Sequence, residues 1–385
     1  MDSSEIILGI DLGTSYSTAA AVIGNEVYFA LDARGEATFP SVVHFPAKGP
    51  PVVGHDAEKF RATDPQNTLY GIKRIVGRPF DSPAVRLLDH SATFRLKAAG
   101  KGEPVISTQA GDHSASEVAS IILRHLRERA EARFKKKITK AVLTVPVTAP
   151  TQVHDAMVRC GRMAGLEVLK VLTEPCAGAI SRGRVATSGA PLLVYDFGGG
   201  TFDAAIVQQV SGKLRVLASS GDECLGGDDF DALFARFVGD KLEGTFHKDF
   251  TRDAVIWDRI QRTCERVKRA LSTSAEAKFS VKDLFRLGGV EQHLEAVIRR
   301  EQLTPVWAEL VERSILCAQE SLTQAQLSPE QLGLVLLIGG TSYLPQVRAA
   351  VPRAFGPQCV LETDPQTAVA RGAALVAAHP EILIA

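Results

Sequence analysis

A surplus of charge of either sign is missing from this chain. Its 44 Lys and Arg balance 44 Asp and Glu over 385 residues, so it offers no electrostatic footprint for DNA, RNA or an anionic membrane surface. Paired cysteines are missing too. Cys160, Cys176, Cys224, Cys264, Cys317 and Cys359 lie far apart with no C-x-x-C, which leaves no zinc or redox motif and reads as small core residues in a reducing compartment. No run approaches the ~20 apolar residues of a membrane helix. Asp2 and Glu5 precede an apolar stretch that Asp11 soon interrupts, the wrong charge and length for a signal peptide. The expectation is a cytoplasmic protein with no nucleic-acid and no membrane partner. Neither G-x-x-x-x-G-K-[ST] nor G-x-G-x-x-G occurs, which argues against P-loop and Rossmann nucleotide sites. The strongest basic run, 124–137, interleaves charge with Leu126, Ala130 and Phe134 and reads as a solvated helix face.

One device, by contrast, is present twice. Asp11-Leu12-Gly13-Thr14 and Asp196-Phe197-Gly198-Gly199-Gly200-Thr201 each follow an apolar run and lead into a second one. Two further landmarks repeat in the same order and at nearly constant spacing. Val142-Leu143-Thr144-Val145-Pro146 answers Leu336-Leu337-Ile338-Gly339-Gly340, and Glu174-Pro175-Cys176-Ala177-Gly178-Ala179 answers Asp364-Pro365-Gln366-Thr367-Ala368-Val369. Ordered correspondences of this kind imply two related lobes facing one polyanionic ligand, read here as nucleotide phosphate.

Local signals fill in the organisation. Strands are expected at 5–10, 16–23 and 26–31, with Gly24-Asn25 turning the second into the third. Short strands are implied by Ser41–Phe45 and Pro51–Gly54. Ser114-Ala115-Ser116-Glu117 is a capping box opening a helix to about Lys137. A buried strand follows at 140–145, a helix at 152–164, a strand at 168–172 and a helix at 176–182; the order restarts at Leu192. The reading is an α/β clamp of four parts: lobe I over 1–186 with an insertion at about 38–113, and lobe II over 187–385 with an insertion at about 228–304.

The residue types suit phosphate and metal. Gly13, Gly198, Gly199 and Gly200 have no Cβ to hold the backbone away from a phosphate and tolerate positive φ, which lets successive N–H groups converge on oxygen. Thr14, Ser15 and Thr201 add hydroxyl donors on the same turns, while Asp11 and Asp196 stand where they can hold magnesium directly or through its water shell. Glu265, Lys268 and Ser272 share one helical face. That face could meet a nucleoside or could be an ordinary exposed charged stripe; spacing alone favours the stripe.

Several segments together carry a family likeness. Asp11 to Ser17, Thr144-Val145-Pro146, Thr173-Glu174-Pro175, Tyr195 to Asp203, Cys224 to Asp231 and Cys264 to Ser272 resemble the nucleotide-binding domain of the seventy-kilodalton heat-shock chaperones (DnaK type), within the actin-like ATPase superfamily. The likeness runs from Ile6 to about Ala378. It implies two actin-like (ribonuclease-H-like) lobes with a nucleotide cleft between them, and an activity converting ATP and water to ADP and phosphate. It implies Lys73 as the phosphate-binding lysine, Glu174 holding magnesium-bound water or orienting the nucleophile, and Asp203 near the Mg2+ and K+ sites. Asp196 and Thr201 complete the catalytic set, and Glu265, Lys268, Ser272, Gly227, Gly339 and Gly340 the nucleoside pocket. The partners it implies are adenine nucleotide and a co-chaperone or nucleotide-exchange factor.

Three positions depart from the family pattern. Tyr343 replaces an arginine that stacks on adenine, and its ring is expected to take over that contact. His154 replaces an arginine that couples ATP to the partner domain, a role that neutral imidazole cannot fill. Gln366 replaces an acidic residue. Nothing in the 385 residues reads as a separate peptide-binding module. A chaperone-type ATPase is the favoured class, ahead of a small-molecule kinase or a nucleotide-controlled filament or scaffold of the same superfamily.

Overall fold

Two mixed sheets built on the same plan carry the architecture of the computed structural model. It describes residues 5–100, 102–181, 189–211, 213–287, 289–362 and 364–380. The first sheet uses β1 (Ile7–Asp11), β2 (Tyr16–Ile23), β3 (Glu26–Phe29), β4 (Lys140–Val145) and β5 (Glu167–Thr173), with the helices α1 (Ala115–Phe134), α2 (Thr151–Met163) and α3 (Glu174–Ile180) in between and after. The second uses β6 (Leu192–Phe197), β7 (Phe202–Val210) and β8 (Lys213–Asp222). Next come α4 (Gly227–Phe246), α5 (Ala254–Leu271), the hairpin β9 (Glu276–Leu287) and β10 (Val290–Arg299), and α6 (Arg300–Gln324). The chain then adds β11 (Leu334–Ile338), α7 (Pro345–Phe355), β12 (Cys359–Leu361) and α8 (Ala368–Ala378).

Strand order is β3-β2-β1-β4-β5 in one sheet and β8-β7-β6-β11-β12 in the other. In both, an antiparallel meander lies on one side of the central strand and two parallel strands on the other. The repetition seen in the sequence is therefore a repetition of topology. It sets Asp11 at the end of central strand β1 and Asp196 one residue from the end of central strand β6.

Local chemistry explains the boundaries. The Ser114 hydroxyl accepts from the Glu117 N–H at 3.1 Å while Glu117 accepts from the Ser114 N–H at 2.6 Å, so the expected capping box is formed. Lys135 in the left-handed region (φ 56°) ends that helix earlier than expected. The helix expected from Cys176 starts instead at Glu174, because Pro175 in its first turn has no N–H to leave unpaired. The strands expected at 41–45 and 51–54 shrink to Val43–His44 and Val52–Val53, which pair with each other while Val43–His44 also pairs with Thr68–Leu69 in a small separate sheet. Arg182, the expected lobe boundary at 186/187 and residues 381–385 lie outside the described residues.

The last helix joins the two halves. α8 follows the second sheet in sequence but packs on β1, β2 and α3 of the first, and its Ala373 shares a core with Val142, Val194 and Ile338 from both sheets. The approach is backbone to backbone. A Cβ built on Gly9 would fall 2.1 Å from the Ala374 nitrogen, and one on Gly372 would fall 1.7 Å from the Ala177 carbonyl oxygen. Gly372→Ala should therefore destabilise the fold by about 1–3 kcal/mol or more. It would be read as a lower urea midpoint at unchanged slope; an unchanged midpoint would show that α8 can move aside.

Candidate functional site

Both acidic turns open into one cavity of about 130 Å³ between the sheets. One of the two reasons expected for their glycines does not apply, and a steric one joins the other. Gly13, Gly198, Gly199 and Gly200 do not have positive φ; instead, the two turns are pressed together. A Cβ on Gly200 would lie 2.6 Å from Thr14 Oγ1, one on Gly199 2.3 Å from Ser15 Oγ, and one on Gly13 2.0 Å from the Tyr16 carbonyl oxygen. Gly339, which does have positive φ (80°), likewise has no room beside Phe197.

Further bonds brace the second turn. Gly198 N–H donates to the Thr201 carbonyl (3.0 Å), and the Gly198 carbonyl accepts from Gly227 N–H (3.0 Å) and Thr341 Oγ1 (2.7 Å). Asp228 N–H donates to the Gly199 carbonyl (2.8 Å), tying the first turn of α4 to the loop. Among the described residues, the N–H groups of Gly199 and Gly200 donate to no protein acceptor. They are available to an anion.

Lys73 reaches the same space from a short 3-10 turn, Ile72–Arg74, entered through Gly71 at φ 68°. Its Nζ lies 2.5 Å from Glu174 Oε1 and 3.8 Å from Asp11 Oδ1. Burial works against its charge, but Glu174 and Asp11 outweigh burial, so the ammonium is held more firmly than usual. The carboxylates feel the reverse. Burial lifts Glu174 to about 7 despite Lys73. It lifts Asp203, directly across the β6–β7 ladder from Asp196, to about 6. Asp196 is pushed far above the carboxylate range by burial and then by Glu174, Asp203 and Asp11. Asp11 is raised by burial, against the pull of Lys73 and of Thr144, whose hydroxyl donates to it at 3.3 Å.

Four carboxylates thus converge on one ammonium, and Asp203 Oδ1 is buried without a hydrogen-bond partner. Oxygen donors in excess of the local positive charge fit a hard divalent cation such as magnesium. Asp203 stands beside Asp196 on the neighbouring strand and is not on the cavity wall.

The other end of the cavity is walled by α5. Glu265, Lys268 and Ser272, which share one helical face, all line it. Lys268 is already engaged, donating to Asp231 Oδ2 at 2.6 Å and to the Gly227 carbonyl at 2.7 Å. Glu265 accepts from the Tyr16 hydroxyl at 3.1 Å, which in turn accepts from Arg269 at 2.6 Å, with the guanidinium 5.0 Å from the Tyr16 ring centre. Arg269, Asp231 and Gln366 line the cavity as well. Sequence reasoning passed over Arg269, although it stands four residues after Glu265 and so shares its face.

Tyr343 stands apart from the other expected nucleotide contacts. It ends the 3-10 turn Gly340–Tyr343, half-buried, with Asp364 near enough to add to the effect of burial in raising its hydroxyl. It is not on the cavity wall, where Leu344 and Gln366 stand. Every other residue expected to hold nucleotide lines the cavity.

A family model described as Hsp70 protein matches residues 7–381, and the chain belongs to that family. It has the two-lobed actin-like fold of the family and carries the ATPase domain of an Hsp70-type chaperone. Members bind ATP and ADP with magnesium and engage co-chaperones. Among the described residues, no helix is long and apolar enough to cross a membrane.

The carboxylate cluster sets a pH dependence. Glu174 and Asp203 hold protons up to about 7 and about 6, above their ordinary 4.5 and 3.8. Stability from these protonated groups is complete below their ordinary values and is lost as pH rises through 6 and 7. In chelator the urea midpoint should therefore fall between about pH 5 and pH 7.5. Asp203→Asn should lessen that fall, and magnesium nucleotide should offset it. Equal slopes for the parent and Asp203→Asn would remove Asp203 from the effect.

Proposed function

We propose that this Hsp70-family chain binds magnesium ATP in the cavity between its sheets, hydrolyses it to ADP and phosphate, and changes its lobe angle with nucleotide state. The observation that carries the reading is the convergence of two interlocked acidic–glycine turns on Lys73. The proposed lobes are about 1–186 and 187–385, with α8 of the second docked on the first sheet.

Asp11, Asp196, Glu174 and Asp203 would hold magnesium. When bound, the ion neutralises phosphate charge and fixes its orientation, with potassium as a second cation at the same acidic end. The chain's own groups do the rest. Gly199 and Gly200 N–H groups, with the Thr14, Ser15 and Thr201 hydroxyls, grip phosphate oxygens and fix the line of attack. Lys73 leaves Glu174 for the terminal phosphate and neutralises charge there as it redistributes. Glu174, poised near neutrality at about 7, then accepts a hydrogen bond from the attacking water or takes its proton. On the nucleoside side, Glu265, Lys268 and Ser272 meet the ribose and base edge, and Gly227, Gly339 and Gly340 leave room for them. The planar Arg269 guanidinium, beside Tyr16, is the group placed to stack on the base.

Two measurements test these roles. Lys73→Ala should lower single-turnover hydrolysis about 100- to 1,000-fold while ADP affinity by calorimetry changes far less; parental turnover would remove Lys73 from the chemistry. Arg269→Ala should weaken ATP and ADP alike by about five- to a hundredfold if base stacking has its usual strength. Tyr343→Ala should leave both near parental values, and the opposite order would restore Tyr343 as the base platform.

A further inference from the structure

Away from the cleft, the loop after β3 and the short helix His55–Glu58 of the first insertion bring a histidine and two carboxylates together. Asp32 uses one oxygen, Oδ1, to accept the N–H groups of Arg34 and Glu36, both at 2.8 Å. Its other oxygen, Oδ2, is left 3.8 Å from His55 Nε2. Glu36 Oε2 lies 3.1 Å from the same nitrogen, and the three atoms are all within 4.8 Å of one another. On the far side of the ring, His55 Nδ1 meets Glu58 Oε2 at 3.0 Å. The side chains of His55 and Asp32 are only 15% and 11% exposed.

We propose that His55 Nε2, Asp32 Oδ2 and Glu36 Oε2 form a binding site for a divalent transition-metal ion of the zinc type. Ligand atoms about 2.0–2.2 Å from one zinc ion lie roughly 3.0–3.6 Å apart. Of the two separations from Nε2, 3.1 Å falls inside that range and 3.8 Å just above it, so a small side-chain adjustment brings both carboxylates to ligand distance. Glu58 supplies the outer carboxylate that metal-binding histidines use. With Nδ1–H donating to Glu58, the Nε2 lone pair is left to face the ion. An imidazole donor also separates this site from the all-oxygen cluster of the cleft, because it favours zinc, cobalt or nickel over magnesium.

Occupancy would do mechanical work. Asp32 and Glu36 lie in the loop between two strands of the first sheet, β3 and Thr38–Pro40, and His55 belongs to the insertion, so an ion would staple one to the other. His55 and Glu58 also border the groove at the cleft mouth that Tyr16, Glu265 and Arg269 line. The staple would therefore fix one rim of that mouth.

The test uses the full chain, stripped with chelator and kept in excess magnesium to saturate oxygen-only sites, then titrated with zinc by calorimetry. The expected result is one zinc per chain and a melting temperature that rises with zinc. Glu36→Gln, at a half-exposed position (52%) where folding is not at stake, should bind far more weakly, and His55→Ala should not bind at this site. Glu58→Gln should weaken binding about 10- to 100-fold through the ring. Cobalt spectra separate the free cysteines from this site: thiolate charge-transfer bands in the parent that persist in His55→Ala would assign the binding to cysteine and overturn the proposal. Absence of zinc binding, or parental affinity in either Glu36→Gln or His55→Ala, would overturn it as well.

Discussion

Everything at the centre of this molecule depends on two turns meeting where no Cβ fits. Because Gly199 and Gly200 touch Ser15 and Thr14 across the cavity, the ends of the two central strands are held a fixed short distance apart. The acidic residues those strands carry are held with them. That proximity makes the electrostatics severe: Asp11, Glu174, Asp196 and Asp203 share one buried region with a single lysine. Such a charge imbalance is costly in an empty fold and favourable once cations enter, so one steric constraint serves both the architecture and the proposed chemistry.

Much of this was legible in the residues, and the reason is repetition. An apolar run ending in Asp, then a glycine turn, marks a strand end wherever it stands, and finding it twice predicted two sheets of like order. Helical period put Glu265, Lys268 and Ser272 on one face of α5, but only the family likeness told that face from an exposed charged stripe. Arg269 follows from the same geometry at four residues from Glu265, and was passed over.

What stayed hidden depends on contacts distant in sequence. No local pattern says that Gly200 is glycine because of Thr14, or that Lys268 is tied to Asp231 and the Gly227 carbonyl. Tyr343 illustrates the limit of turn reasoning. A 3-10 turn and an α-turn rotate the following side chains differently, so a residue three positions after Gly340 can point into the cavity or beside it. Here Leu344 took the wall and Tyr343 went toward Asp364.

The docking of α8 on β1 has a consequence in time. The second strand-end motif, the hairpin and the three long helices α4, α5 and α6 must all be made before residues 368–378 can cover the small-residue face around Gly9 and Ala20. Until then the first sheet is a partly bare template, with the short α3 but not α8 on that face. Contacts of such long sequence separation slow folding and prolong the exposure of unpaired apolar surface. A protein of the chaperone ATPase class thus passes through a stage in which its own earliest-made strands are a hazard for aggregation during synthesis.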